Sequence, residues 1–351
     1  MIAVDPRARV GAVQDAHRFD PAALERFCHA VLDGFDGPLE IAQFHGGASN
    51  PTFLLTDVGS GACCVLRKQP PGELLPTAHA VDREFRVMSA LAGTAVPVPR
   101  MLAYSDDRTI VGSPFYLMPF LEGRIWKNNG MAGLSLAERR SAYTSLIETL
   151  AALHRIDPQE VGLENFGRQG NYFARQLTRW SRQYRDAQTV EIASMERLIQ
   201  ALPARIPSNE KVAIVHGDYR LENLIFAADQ PRVLAVLDWE LSTLGDPLAD
   251  LAFFCLFYHA DFTTWGSAAT IDFAATGVPT EVELVAAYCA ASGRPDIADW
   301  PFYLGFAAFR LASIAQGVHK RQVAGSSNAA DRQENGTRQW SDLAESLLAK
   351  K

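Results

Sequence analysis

The stretch that most constrains this chain runs from Val212 to Phe226 and continues from Val233 to Glu240. Val212 to Val215 is an apolar strand, and His216, Gly217 and Asp218 form a tight loop after it. Leu224 to Phe226 is a short strand, and Ala227 to Pro231 a turn into a second short strand that ends on Asp238. Asn223 lies five residues beyond Asp218, so the pattern H-x-D-x-x-x-x-N runs into a hairpin that closes on an acid.

That spacing is the layout of phosphoryl-transfer loops. A hydroxyl attacking a phosphate needs a carboxylate within hydrogen-bond reach to orient it and take its proton, and Asp218 has that position. Mg²⁺ prefers hard oxygen ligands and keeps several waters, so Asn223 and Asp238 suffice to hold it. His216 braces the loop. Any one of these residues alone reads as a turn residue, a cap or a strand end; all three in this order do not.

Val215-His-Gly-Asp-Tyr-Arg-Leu-Glu-Asn223, followed by Leu237-Asp-Trp-Glu and Asp246-Pro-Leu-Ala-Asp250, resembles the aminoglycoside phosphotransferase and choline kinase superfamily. More narrowly, the chain is similar to phosphotransferase-like proteins related to the N-terminal kinase-like domain of multidomain acyl-CoA dehydrogenases. The likeness runs from about Ile41 to Gln322. It implies an α+β, protein-kinase-like bilobed fold with ATP and Mg²⁺ as cofactors. Residues 1–119 would form a small antiparallel-sheet N-lobe that binds nucleotide. Residues 120–351 would form a mainly helical C-lobe carrying the catalytic loop, the metal site and the acceptor-binding helices.

Other segments fall into place around this loop. Between two strands, Gly46-Gly47 and Ser49-Asn50 suit a loop over nucleotide phosphates, and the resemblance assigns Gly47, Ser49 and Asn50 as nucleotide contacts. The strand Cys63 to Lys68 supplies a cation for those phosphates. Arg67 and Lys68 cannot both face them, and periodicity does not choose. The family pattern favours Arg67 and leaves Lys68 as a solvated neighbour. A helix from about His79 to Ala92 puts Val81, Phe85, Met88 and Ala92 on one face, with Glu84 beside it to pair with Arg67. Met118 and Phe120, in the segment Phe115 to Gly123, stand by position in the fold as adenine contacts.

Residues 1–19 read as a loose arm, and Asp20-Pro21 starts a helix to about Leu32. Val96 to Pro99 opens a further strand region. Ser135 with Glu138, and Thr280 with Glu283, are capping boxes. The first begins a helix to about Arg155 with Tyr143, Leu146, Ile147, Leu150 and Leu153 as its buried stripe. Pro301 to His319 is a long, mostly buried helix. Arg175, Arg179 and Arg182 share one helical face, suited either to a phosphate-bearing substrate such as a CoA ester or to solvent. Glu240 stands near the metal, and Asp246 and Asp250 act as caps or braces. A protein kinase places a long activation segment here; its absence favours a small substrate.

Bulk properties bound the partners. The 351 residues are 48% hydrophobic and 21% charged, as in globular enzymes, and the net charge of -7 argues against a nucleic-acid partner. Five cysteines with no metal-type spacing fit reduced thiols and a cytoplasmic setting. The first residues lack a signal-peptide core, and the apolar run from Leu248 to Tyr258 is too short to cross a membrane.

The acceptor implied by the resemblance is a small-molecule hydroxyl, on a hydroxy acid or a hydroxyacyl-CoA. The alternatives are an aminoglycoside or choline-type amino alcohol, or a catalytically idle nucleotide-binding module. A cationic acceptor needs converging acids; Asp261, Asp272, Glu281 and Glu283 exist, but the sequence does not bring them together. The intact Asp218, Asn223 and Asp238 argue against the idle module.

Overall fold

The first third of the chain folds as one twisted antiparallel sheet with helices on both faces. In this computed structural model the described residues are 6–45, 50–70, 80–262, 268–323 and 335–350. The elements are β1 (Val10–Gly11), α1 (Pro21–Val31), β2 (Leu39–Phe44), β3 (Thr52–Asp57), β4 (Cys63–Lys68), α2 (Val81–Leu91), β5 (Ala103–Ser105), α3 (Arg108–Val111) and β6 (Phe115–Pro119). The strand order is β1-β2-β3-β4-β6-β5. Asp20 caps α1 by accepting the Ala22 N–H at 3.0 Å, with Pro21 at the first helical position.

Strand alternation sorts the side chains into two layers. Phe53, Leu55, Cys64, Leu66, Phe115 and Leu117 pack outward against Leu24 and Cys28 of α1 and Val111 of α3. Val65, Tyr116 and Met118 pack inward against Val81, Val87, Met88 and Leu91 of α2. Each such side chain contributes about 1.5–3 kcal/mol when fully buried.

This layering corrects the expectation for Lys68. It shares the outward face with Cys64 and Leu66, is 4% exposed, and is not a solvated neighbour. Its Nζ donates to the Val111 carbonyl at 2.5 Å and lies 5.0 Å from the centre of the Phe19 ring. Burial lowers its pKa. Arg67, one residue earlier, faces inward.

The N-terminal arm is also not loose over its described part. Val10 and Gly11 pair with Phe44 and Gln43, Phe19 meets Phe53 edge-on at 5.3 Å, and Arg7 lies over Phe120 at 4.9 Å. The outward sheet face is apolar and needs a cover, which this arm and α1 provide. In α2 the buried face is rotated from the expected one. Val87 and Leu91 are buried, Phe85 is half-buried against Tyr104, and Ala92 is exposed past the helix end. Val96 to Pro99 forms no strand. The Pro97 carbonyl instead accepts the Val236 N–H at 2.9 Å, tying this segment to the hairpin of Leu224–Phe226 and Val233–Val236 that follows the His216–Asp218 loop.

Beyond Pro119 the chain is mainly helical. It continues through α4 (Leu136–Arg155), α5 (Tyr172–Ala187), α6 (Ala193–Ala201), β7 (Ala213–Val215), β8 (Leu224–Phe226), β9 (Val233–Val236), β10 (Thr243–Gly245), α7 (Leu248–Leu256), α8 (Phe273–Thr276), α9 (Glu281–Ser292), α10 (Trp300–Val323) and α11 (Thr337–Leu348). Both capping boxes form with their reciprocal bonds, at Ser135–Glu138 and Thr280–Glu283. β7 pairs with β10 and β8 with β9, all antiparallel. Helix α10 packs against α5, α7 and α11, and one continuous core runs from α2 through α4 to α11. No helix among the described residues is long and apolar enough to cross a membrane.

The layering makes a stability prediction. Leu66→Ala opens a cavity under α1 and should cost about 2–5 kcal/mol in urea unfolding. Lys68→Met should cost only about 1–2 kcal/mol, because losing one hydrogen bond is set against burying a cation.

Candidate active site

The loop after β7 is fixed by its backbone. Gly217 has φ +83°, and a Cβ there would lie 2.6 Å from the Leu241 carbonyl oxygen, so only glycine fits. The N–H groups of His216 and Gly217 donate to the Asp250 carboxylate at 2.6 and 2.8 Å. His154 Nε2 adds a third contact to Asp250 at 3.3 Å, and its Nδ1 accepts from the Tyr288 hydroxyl at 2.8 Å. Burial would raise the Asp250 pKa, but His154 and these donors hold it below the usual value.

His216 joins the loop to the hairpin. Its Nδ1 accepts the Asp218 N–H at 3.2 Å, which makes Nε2 the donor to the Leu237 carbonyl at 2.9 Å. The Leu237 N–H donates to the Asn223 carbonyl at 2.8 Å, so Asn223 and Asp238 end on adjacent backbone. Asn223 Nδ2 donates to the Asp218 carbonyl and to Asp218 Oδ2, both at 2.9 Å. Arg220 Nε lies 3.5 Å from the same oxygen. Burial pushes the Asp218 pKa up, while Arg220, Arg310 and His216 pull it back.

Across the cleft, Arg67 reaches in from β4. Its Nε lies 3.1 Å from Glu84 Oε2, and its Nη2 meets Asp238 Oδ1 at 2.5 Å, with Glu240 at 4.0 Å. Glu84 is fully buried and also accepts from Asn50 Nδ2 at 2.7 Å and from the Tyr116 hydroxyl at 3.1 Å. Burial pushes the Glu84 carboxyl up and Arg67 opposes it. Burial alone would lower the Arg67 pKa, but Glu84 and Asp238 hold it well above its ordinary value. Asp238 has φ +64°, a left-handed conformation costly for a side-chain-bearing residue.

The carboxylates of Glu84, Asp238 and Glu240 offer ligand atoms within 4.8 Å of one another. Glu84 is enclosed by its three partners, so Asp238 and Glu240 are the accessible acids of that group. Asn223 spends its amide nitrogen on Asp218 and keeps its oxygen, the donor a hard cation takes. This donor set suits Mg²⁺.

Residues 40–306 match the model of the phosphotransferase enzyme family. The chain belongs to this family. It is 44% identical over 327 residues to mouse acyl-CoA dehydrogenase family member 10, covering 92% of this chain and 30% of that protein. The phosphotransferase chain thus spans under a third of that relative. A putative aminoglycoside phosphotransferase from Ralstonia eutropha superposes with a TM-score of 0.85 at 41% identity, covering 94% of this chain and 98% of the other. An aminoglycoside phosphotransferase crystallised with AMP-PNP and hygromycin B shares the protein-kinase-like fold, with a TM-score of 0.59 at 15% identity over 93% and 97% of the two chains.

The remaining sequence candidates of this phosphotransferase are dispersed. Gly47 and Ser49 lie outside the described residues. Asn50 is turned onto Glu84, and its buried Oδ1 has no hydrogen-bond partner among the described residues. Met118 is buried in β6 opposite Val65, and half-buried Phe120 follows it beneath Arg7. The stripe on α5 does not act as one unit. Arg175 donates to the Arg168 carbonyl at 2.7 Å, Arg179 lies over the Trp180 ring at 5.0 Å, and Arg182 is exposed. Sequence reasoning passed over Arg310, whose charge acts on Asp218. Its signal was a lone cation in the apolar run from Phe302 to Ile314.

The brace under the loop is testable. Asp250→Ala removes the acceptor of two loop N–H groups and a buried histidine, and should cost about 3–5 kcal/mol in chemical unfolding. Gly217→Ala should cost about 1–3 kcal/mol for its positive φ alone, with the Leu241 contact adding to that.

Proposed function

We propose that this phosphotransferase moves the γ-phosphoryl group of ATP to the hydroxyl of a small molecule, with a hydroxy acid or hydroxyacyl-CoA as acceptor. The observation that carries this reading is the convergence of Asp218 and Asp238 on one cleft, bridged to β4 and α2 by Arg67 and Glu84. Asn223 and Arg220 both approach Oδ2 of Asp218, leaving Oδ1 to accept the hydroxyl proton. The acceptor oxygen then bonds to the γ-phosphorus, the bond to the bridging oxygen breaks, and ADP leaves with that oxygen. The raised pKa of Asp218 makes it a stronger base than an exposed aspartate.

Arg67, kept charged by Glu84, would grip the nucleotide phosphates, with Gly47, Ser49 and Asn50 as further contacts, and Met118 and Phe120 would border the adenine. Asn223 and Asp238, with Glu240 beside them, would hold Mg²⁺, which would supply charge neutralisation on the phosphates. The division of labour falls at residues 119 and 120, and the five free cysteines suit a reducing, cytoplasmic setting. The relatives' name, acyl-CoA dehydrogenase, supports a CoA-linked acceptor. A second reading, an aminoglycoside acceptor, is favoured by the name of the Ralstonia neighbour.

Asp218→Asn should keep ATP affinity and lose about 10²–10⁴-fold in turnover, measured as Mg²⁺-dependent ADP release with each acceptor class. Undiminished turnover refutes the role of Asp218. Because the base must be ionised and burial raises its pKa, the wild-type rate should climb with pH through a midpoint above the ordinary aspartate value of about 3.9. A midpoint at or below that value contradicts the assignment.

A further inference from the structure

Arg310 is the charged residue that the assigned chemistry leaves over. It sits mid-way along α10, flanked by buried Phe309 and Leu311, and is 7% exposed. Its guanidinium carbon lies 5.5 Å from the centre of the Trp180 ring and 5.3 Å from that of Phe253, so rings of α5 and α7 hold it in place. Its Nε is buried with no hydrogen-bond partner among the described residues. Among the described residues no carboxylate forms an ion pair with it, whereas Arg67 is met by three acids. Its charge acts on Asp218 without an ion pair to it, and a buried cation with no carboxylate in direct contact is destabilising and needs a reason to persist.

Its surroundings sharpen the point. Arg179 stands over the same indole at 5.0 Å, so two guanidinium groups share one aromatic ring. Arg310 and Arg182 both disfavour the charged form of Arg179, after burial itself. The Arg310 charge also reaches the hydroxyl of buried Tyr172, where Asp250 and Asp246 oppose it, and Arg310 and Arg220 both act on the carboxylate of Asp218. Phe253 lies one turn along α7 from Asp250, which holds the Asp218 loop, so Arg310 stands behind that loop with its charge acting on Asp218. A choline or aminoglycoside acceptor would meet repulsion there. An anionic acceptor would supply the missing partner in the planar, two-pronged geometry that arginine prefers.

We propose that Arg310, seated on Trp180 and Phe253 with Arg179 beside it, is a specificity-determining anion subsite that binds a carboxylate or phosphate of the acceptor whose hydroxyl is presented to Asp218. The subsite rests on the reading of Asp218 as the base, but it predicts binding as well as turnover. A free hydroxy acid brings its own carboxylate, while a CoA ester brings phosphates.

The test is calorimetric titration of the full chain without nucleotide. The probes are 4-hydroxybutyrate, its CoA thioester, and the neutral pantetheine thioester that lacks the nucleotide phosphates. One of the two anionic probes should bind at least about 30-fold more tightly than the neutral one, and Arg310→Gln should remove that advantage, with Arg310→Lys intermediate. AMP-PNP affinity should be unchanged in both variants. Preference for the free acid identifies a carboxylate subsite, and preference for the CoA ester a phosphate subsite. Equal binding of charged and neutral probes by the wild type overturns the proposal and requires no variant to fold. So does failure of both anions to bind, or full affinity in a folded Arg310→Gln. ADP release is read separately: anion binding without turnover refutes the phosphotransfer reading and leaves the subsite, whereas turnover of neutral acceptors does the reverse.

Discussion

Arg67 is the interaction on which the cleft depends. Its side chain leaves the sheet at β4, meets Glu84 on α2 and reaches Asp238 at the end of the β8–β9 hairpin. Three elements far apart in sequence are thereby set to one distance. Desolvating a guanidinium is costly, and a pair of this kind adds little net stability over an apolar substitute. Its contribution is specificity of arrangement: Glu84 has every neighbour needed to remain buried, through Asn50 and Tyr116, so it cannot rotate away without leaving several groups unsatisfied. Asp238 keeps its left-handed backbone because the same contact holds its carboxylate.

The catalytic loop is built on the opposite principle. Its backbone is held from below by Asp250, which takes two N–H groups and a histidine. Gly217 allows the chain to pass Leu241 at a separation that no other residue permits. Asp218 and Asn223 are held in place by the loop's own bonds, which on the proposed reading would lower the reorganisation needed in the reaction. A loop anchored through its backbone also leaves its side chains free to carry chemistry.

What was legible in the sequence follows the range of the interactions. Capping boxes at Ser135 and Thr280 and the hairpin turn are set within a few residues, and they stand as read, while the H-x-D-x-x-x-x-N spacing brings Asn223 onto Asp218. The kinase-like fold followed from the same motif by resemblance. Lys68 was misread because alternation assigns faces but does not say which face is covered; α1, α3 and Phe19 decide that from elsewhere in the chain. The apolar face of α2 was off by part of a turn for the same reason, since Val87 and Leu91 are chosen by the sheet they meet. The arginines of α5 show the limit clearly. Spacing put Arg175, Arg179 and Arg182 on one face, but only packing against α10 reveals that Trp180 carries a second cation from Arg310.

That second cation bears on how an acidic protein chooses its acceptor. The acids nearest the chemistry, Asp218, Asp238, Glu84 and Glu240, are engaged with Arg67, with Arg220 or with the loop itself, so their charge is largely balanced within the protein. Arg310 has no carboxylate in ion-pair contact among the described residues, and aromatic rings of α5 and α7 stand against it. In such a medium an uncompensated charge acts over a longer distance than it would at the surface. Discrimination between acceptors is a difference of affinities, and repulsion of the wrong charge contributes to it as directly as attraction of the right one. A single arginine on α10 then does both, and its cost to the free protein is recovered only when an anion is bound. On this view the catalytic motif specifies phosphoryl transfer, while the choice of acceptor is written in the packing of α5, α7 and α10 behind it.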